Sequence, residues 1–184
     1  MAKGGAVAGD ALILTKALGV GVILAADMAG RAPGPVVAAA HRAMVAGQGQ
    51  AAVLLAGVAH AMTDVTGFGL AGHLAEMLAG TGLGAEIDLD AVPVLDGALA
   101  LAAAGVQSSI YRHNRAATVV VGVAGAIASD PARMALLFDP QTCGGLLAAV
   151  PLAQAGQLVA ALQAMGLPAA VIGRVEARTG IRLG

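Results

Sequence analysis

Apolar and polar positions in this chain follow two periods, and glycine or proline marks the change from one to the other. Residues 10–16, Asp-Ala-Leu-Ile-Leu-Thr-Lys, form a short apolar run that predicts a buried strand before Gly19. Residues 20–28 predict a helix, Arg31-Ala-Pro-Gly-Pro35 a turn, and residues 36–45 a second helix with Pro35 at its first position. An Ala/Leu/Val segment over 50–58 predicts a third helix ending near Gly57. Residues 61–74 read as a strand end, a glycine-rich turn and a helix continuing to about Leu78, with Leu70, Leu74, Met77 and Leu78 on one face. The alternation at 86–90 predicts a half-exposed strand, and 95–104 a helix stopped by Gly105. Residues 116–127 are apolar all round, and their length favours a helix. Strands are expected at 146–150, 169–175 and 181–183, with a helix over 153–165 ended by Gly166. Strands and helices intermix without a strict βαβ repeat, so the predicted class is α+β (mixed α/β), a layered sheet with packed helices. No internal repeat or long linker divides 1–184, which reads as a single domain.

Composition explains what such a core is made of. The 184 residues include 27 glycines and only 2 Phe, 1 Tyr and no Trp, so the interior must be Ala, Val and Leu. With 58% hydrophobic and 11% charged residues, the chain is not a disordered one. Its formal charge is −1, with basic residues scattered singly, which offers no footprint for a nucleic-acid backbone. A mean hydropathy of +0.83 raises the question of a membrane. The two long charge-free stretches, 43–63 and 140–173, are interrupted by glycine, proline and glutamine and do not read as spans. No signal peptide is evident, because Asp10 precedes any apolar run, and a lone cysteine, Cys143, fits a reducing cytoplasm.

Two loops carry candidate chemistry. In Thr63-Asp64-Val65-Thr66-Gly67-Phe68-Gly69 a carboxylate stands just before two glycines. Backbone N–H groups there could approach an anion while Asp64 faces it across a divalent cation, the way Mg²⁺ is commonly held. Alternatively Asp64 caps a helix and the glycines only permit a turn; spacing alone favours that plainer reading. Asp139-Pro-Gln-Thr-Cys-Gly-Gly145 poses the same choice, with Asp139 orienting a partner or closing an Asx-turn. Cys143 lacks an assigned histidine and reads as a buried packing cysteine more readily than as a nucleophile. His41, His60, His73 and His113 show no metal-ligand spacing and read as surface or packing residues. The cluster Arg112-His113-Asn114-Arg115 is either a phosphate contact or an exposed helix start.

Together, Gly9–Gly19, Thr63–His73, Phe138–Leu147 and Val171–Val175 resemble, in order and spacing, the C-terminal half of the selenophosphate synthetases (selenide, water dikinases) of the aminoimidazole-ribotide synthetase superfamily. The Asp-Pro-Gln-Thr-(small)-Gly-Gly-Leu-Leu run distinguishes them from thiamine-monophosphate kinases and the hydrogenase-maturation enzyme. The resemblance implies an α/β/α layered domain with partial ferredoxin-like character. It implies ATP-dependent, Mg²⁺-requiring phosphoryl transfer to selenide, yielding selenophosphate, AMP and phosphate. It implies a homodimer formed mainly through N-terminal domains. Those domains, absent here, supply most of the ATP site, a catalytic lysine and a cysteine or selenocysteine. Asp64 takes the place of a metal-binding carboxylate, while Thr66, Gly67 and Gly69 come near the nucleotide phosphates. No catalytic residue is expected in this chain, which should be inactive alone. Cys143 stands where the family usually has serine, and Ala17 and Val20 where proline and threonine are common. A stand-alone binding or scaffold module, or a domain of another ATP-dependent enzyme of the superfamily, are the alternatives.

Overall fold

In the computed structural model, residues 3–118, 120–123 and 130–184 are described. Their strands are β1 (Ala11–Leu14), β2 (Ala61–Asp64), β3 (Gly84–Ile87), β4 (Val120–Val123), β5 (Leu146–Val150), β6 (Ala170–Glu176) and β7 (Gly180–Leu183). The helices are α1 (Val20–Met28), α2 (Gly34–Val45), α3 (Gly49–Ala56), α4 (Gly69–Leu78), α5 (Ala98–Ala103), α6 (Tyr111–Ala117), α7 (Pro131–Leu136) and α8 (Leu152–Ala164). The strands form one mixed sheet in the order β2-β5-β1-β6-β3-β7-β4. Pairing is antiparallel from β2 through β3 and parallel for β3–β7 and β7–β4. The fold is therefore the mixed α/β layered arrangement that the sequence pattern predicts.

Alternation along the strands sorts the core onto two faces. Leu12, Leu14, Leu147, Ala149, Ile87 and Ile172 join Leu70, Leu74 and Met77 of α4 on one side. Ala11, Ile13, Ala148 and Val150 pack on the other against Ala51 and Leu55 of α3 and Leu158 and Leu162 of α8. Covered on both faces, β1 is buried at every position, which is why it reads as a continuous apolar run. A third cluster, with Ile23, Ala26, Ala40, Ala98 and Leu136 at its centre, joins α1, α2, α5 and α7. No helix among the described residues is long and apolar enough to cross a membrane.

Three expectations need correction. The 116–127 run is not one helix: Ala116 and Ala117 finish α6, Val120–Val123 is a strand parallel to β7, and 124–129 lie outside the described residues. Consecutive valines favour a pleated strand, and here that preference prevails over run length. The strand expected at 86–90 lies earlier, over Gly84–Ile87, because the Asp88 carboxylate accepts the Asp90 and Ala91 N–H groups and turns the chain. The helix expected from Leu95 begins only at Ala98, after Gly97 takes a left-handed conformation at φ 81°.

Strands β1 and β2 both run antiparallel to β5. Their C-terminal ends and the N-terminal end of β5 therefore meet at one edge of the sheet. Thr15-Lys16, Asp64-Val65-Thr66 and Gly144-Gly145 all emerge there.

Candidate functional site

The three loops at this edge are stitched together by hydrogen bonds that exchange partners across the chain. Val65 N–H donates to Gly145 O at 2.8 Å, and Gln141 N–H to Thr66 O at 2.9 Å. Leu146 N–H donates to Thr15 Oγ1 at 2.7 Å, the Thr15 hydroxyl donates to Gln48 Oε1, and Gln48 Nε2 donates to Gly144 O at 2.7 Å. Lys16, buried at the end of β1, donates from Nζ to Ala43 O at 2.8 Å and Cys143 O at 2.9 Å. Burial pulls the Lys16 ammonium below the ordinary lysine range, and the neighbouring Cys143 opposes that shift. Gly144 is required by contact: a Cβ there would sit 2.1 Å from Val65 O.

Helix α1 has no side-chain cap of its own, since its N-cap is Gly19. The second loop supplies one. Gln141 Oε1 accepts the Gly19 and Val20 N–H groups, each at 3.2 Å, and the Asp139 carboxylate lies against the backbone of Gly21 and Val22, whose N–H groups hold its pKa down. Two of the four N–H groups that a helix start leaves without partners are thus satisfied by Gln141 of a distant loop, beside the Asp139 carboxylate. Gln141 Nε2 in turn donates to Asp139 Oδ2 at 3.0 Å. Asp139 is 3% exposed, and burial pushes its carboxyl up to about 7, against the pull of these hydrogen bonds. It does not close a local Asx-turn, because the Gln141 N–H donates to Thr66 O instead.

Asp64 is placed differently. It ends β2 with its carboxylate exposed, and no side-chain hydrogen bond holds it among the described residues. It does not cap α4, whose N-cap is Phe68 with no side-chain hydrogen bond. Gly67 is exposed with open space around it, and its carbonyl accepts Asn114 Nδ2 at 2.8 Å. Gly69 faces inward: at φ 72°, a Cβ would lie 2.8 Å from Leu137 O, and its N–H donates to Thr66 O. Thr66 Oγ1 lies 3.1 Å from Nε2 of His73, a buried residue of α4. Thr66 and Gly67 thus line the open side of the loop, whereas Gly69 sets its inner shape.

The remaining candidates divide. Within α6, Arg112, His113 and Arg115 are exposed, while Asn114 is buried and also donates to Phe138 O at 3.1 Å. The Arg115 guanidinium stacks 4.9 Å from the Phe138 ring centroid. Cys143 is exposed, contrary to the packing reading, and takes a left-handed φ of 52°. Sequence reasoning missed Gln48, Asn114 and Gln141 as the residues that lock the loops; single amides carry no spacing signal. No three His, Cys, Asp or Glu side chains cluster as a metal site among the described residues.

The family described as AIR synthase related protein, C-terminal domain, matches residues 7–184. The chain belongs to that family. It is 44% identical over 169 residues to a selenide, water dikinase of Pelobacter propionicus, covering 91% of this chain and 48% of the relative. A selenide, water dikinase of Geobacter metallireducens is 42% identical over 171 residues, with 91% and 48% covered. The chain spans about half the length of these curated relatives. Among solved structures, the hydrogenase maturation protein HypE of E. coli superimposes with a TM-score of 0.70 at 26% identity, covering 96% of this chain and 46% of that one. Thiamine-monophosphate kinase from Stenotrophomonas maltophilia gives 0.68 at 19% identity, covering 100% and 52%, a likeness of fold.

Proposed function

We propose that this AIR synthase related domain is the C-terminal half of a selenide, water dikinase, which uses ATP and selenide to make selenophosphate, AMP and phosphate in the cytoplasm. The observation that carries the reading is Asp64: an exposed carboxylate without a hydrogen-bond partner among the described residues, at the mouth of a loop locked in place by its neighbours. One carboxylate is a fraction of a metal site, and that fits Mg²⁺, which keeps several waters and is commonly held by one or two carboxylates plus substrate phosphates. Asp64 would hold the ion jointly with carboxylates of an N-terminal ATP-binding domain, and Thr66 and Gly67 would lie near the nucleotide phosphates, with Gly69 shaping the turn. When bound, Mg²⁺ neutralises phosphate charge for phosphoryl transfer. This chain's own part is to fix one acidic ligand on a rigid loop; it contributes no catalytic residue and is inactive alone. The full-length enzyme would be a homodimer.

The test is reconstitution with the N-terminal half of the Pelobacter propionicus enzyme. Selenide-dependent AMP formation from ATP is expected, and it should be lost in Asp64→Ala. A folded pair that binds neither Mg-nucleotide nor its other half points instead to a stand-alone scaffold module. Turnover of a different phosphoryl acceptor points to another ATP-dependent enzyme of the superfamily.

A further inference from the structure

Asn114, the buried residue of α6, is 2% exposed. Its Nδ2 donates to two carbonyls, Gly67 O at 2.8 Å on the loop after β2 and Phe138 O at 3.1 Å on the loop that leads to β5. Both partners are acceptors only, so the nitrogen of the amide, and not its oxygen, must face them. One side chain therefore clips the two loops of the site together. It also fixes the direction of the Gly67 carbonyl.

A carbonyl held inward turns the next N–H outward. The peptide unit is planar, no peptide bond among the described residues is cis, and in the trans form C=O and N–H point in opposite directions. With Gly67 O held by Asn114, the Phe68 N–H faces away from Asn114. The preceding peptide is held likewise: Thr66 O accepts the N–H groups of Gly69 and Gln141, which turns the Gly67 N–H away from both. Neither the Gly67 nor the Phe68 N–H donates to another of the described residues. Gly67 is exposed, a Cβ there would meet nothing within 4 Å, and Phe68 is 57% exposed. These donors are not the first turn of α4, whose Gly69 N–H goes to Thr66 O and whose Ala71 N–H goes to Leu137 O. Two successive N–H groups on the open side of a loop of fixed shape suit an oxyanion.

We propose that Asn114 is a positioning residue for the nucleotide: by holding the Gly67 carbonyl inward, it turns the Phe68 N–H, beside that of Gly67, toward a phosphate oxygen of ATP. The assignment rests on the ATP-dependent reading of this domain and requires no contact with the Asp64 carboxylate. It names two backbone donors and the side chain that aims one of them.

Two measurements test it in the pair reconstituted with the Pelobacter propionicus N-terminal half. With this chain ¹⁵N-labelled, the Gly67 and Phe68 amide proton resonances should move downfield on adding the Mg²⁺ complex of β,γ-imido-ATP, because each N–H gains a charged acceptor. Binding of that nucleotide without the shift overturns the assignment, and this readout needs no variant to fold. Asn114→Ala should raise the KM for ATP by about fivefold to tenfold, the weakening of one hydrogen bond, with kcat at saturating ATP unchanged and the Phe68 shift reduced. A lowered kcat with an unchanged KM in a folded pair makes Asn114 a structural clip only and sinks the proposal. Either failure in a native pair that makes AMP removes the role of Asn114 alone. A native pair that binds no nucleotide and makes no AMP removes the ATP-dependent reading, and the proposal with it.

Discussion

Asp64 and Asp139 sit at the start of two glycine-bearing loops that meet at the same sheet edge, yet their environments are opposite. Asp139 is buried, and its carboxylate accepts the Gln141 amide and faces the N–H groups at the start of α1. Asp64 is exposed and has no such partner among the described residues. One acid completes the fold; the other is left over from it. A carboxylate whose lone pairs are already taken inside the protein has little to offer a ligand, so polar satisfaction separates two motifs that look alike as text.

The largest effect should come from Asp139→Ala. It removes the buried carboxylate that faces the Gly21 and Val22 N–H groups and accepts the Gln141 amide, and urea denaturation should show a loss of about 2–4 kcal/mol. If stability barely falls, Asp139 is not the cap described. Acidity offers a second comparison. Burial raises the Asp139 carboxyl to about 7 in the folded state from its ordinary 3.8, so between those values the folded state holds a proton that the unfolded chain has lost. The stability this contributes is fully present below the unfolded pKa and is lost as pH rises through about 7, at up to about 1.4 kcal/mol per pH unit. Urea titrations of the native chain and Asp139→Asn across that window should diverge by a few kcal/mol; parallel curves would show that the buried carboxyl is not responsible.

Glycines test the same contrast by shape. Gly69→Ala combines a left-handed φ with a contact on the 137–138 backbone and should cost about 2–3 kcal/mol. Gly67→Ala meets open space, and its unfolding free energy in urea should stay within about 1 kcal/mol of the parent. Equal losses at the two positions would contradict the inner and outer sides assigned to the loop. The smallest expected change in stability is for Asp64→Asn, within about 0.5 kcal/mol, because the side chain is exposed and makes no hydrogen bond among the described residues. The same substitution should abolish AMP formation by the reconstituted pair.

Much of the framework was legible because local pattern and tertiary need agree. α1 spans the residues expected from the absence of breakers, and Leu70, Leu74, Met77 and Leu78 are the buried face of α4. α7 was overlooked although Asp130-Pro131 announces it: Asp130 Oδ1 accepts Arg133 N–H at 2.8 Å, but the helix is too short to show a period. The cap on α1 was illegible for a different reason. Its N-cap residue is glycine, and the acceptors come from Asp139 and Gln141, far along the chain. At the site, the Asp64 loop stood out by its residue types, whereas its exposure, and the contact of His73 with Thr66, depend on how α4 packs back over it.

The middle of the sheet also constrains how this polypeptide is made. β1 lies between β5 and β6, with Leu14 opposite Leu147 and Ala11 opposite both Val150 and Arg174. A nascent chain leaving the ribosome therefore carries its most apolar strand with both edges open until β5, at Leu146–Val150, has been translated. Such distant pairing slows folding and prolongs the exposure of a sticky segment. Chaperone demand in the cell should accordingly fall on the first strand, long after its synthesis and before its two neighbours arrive.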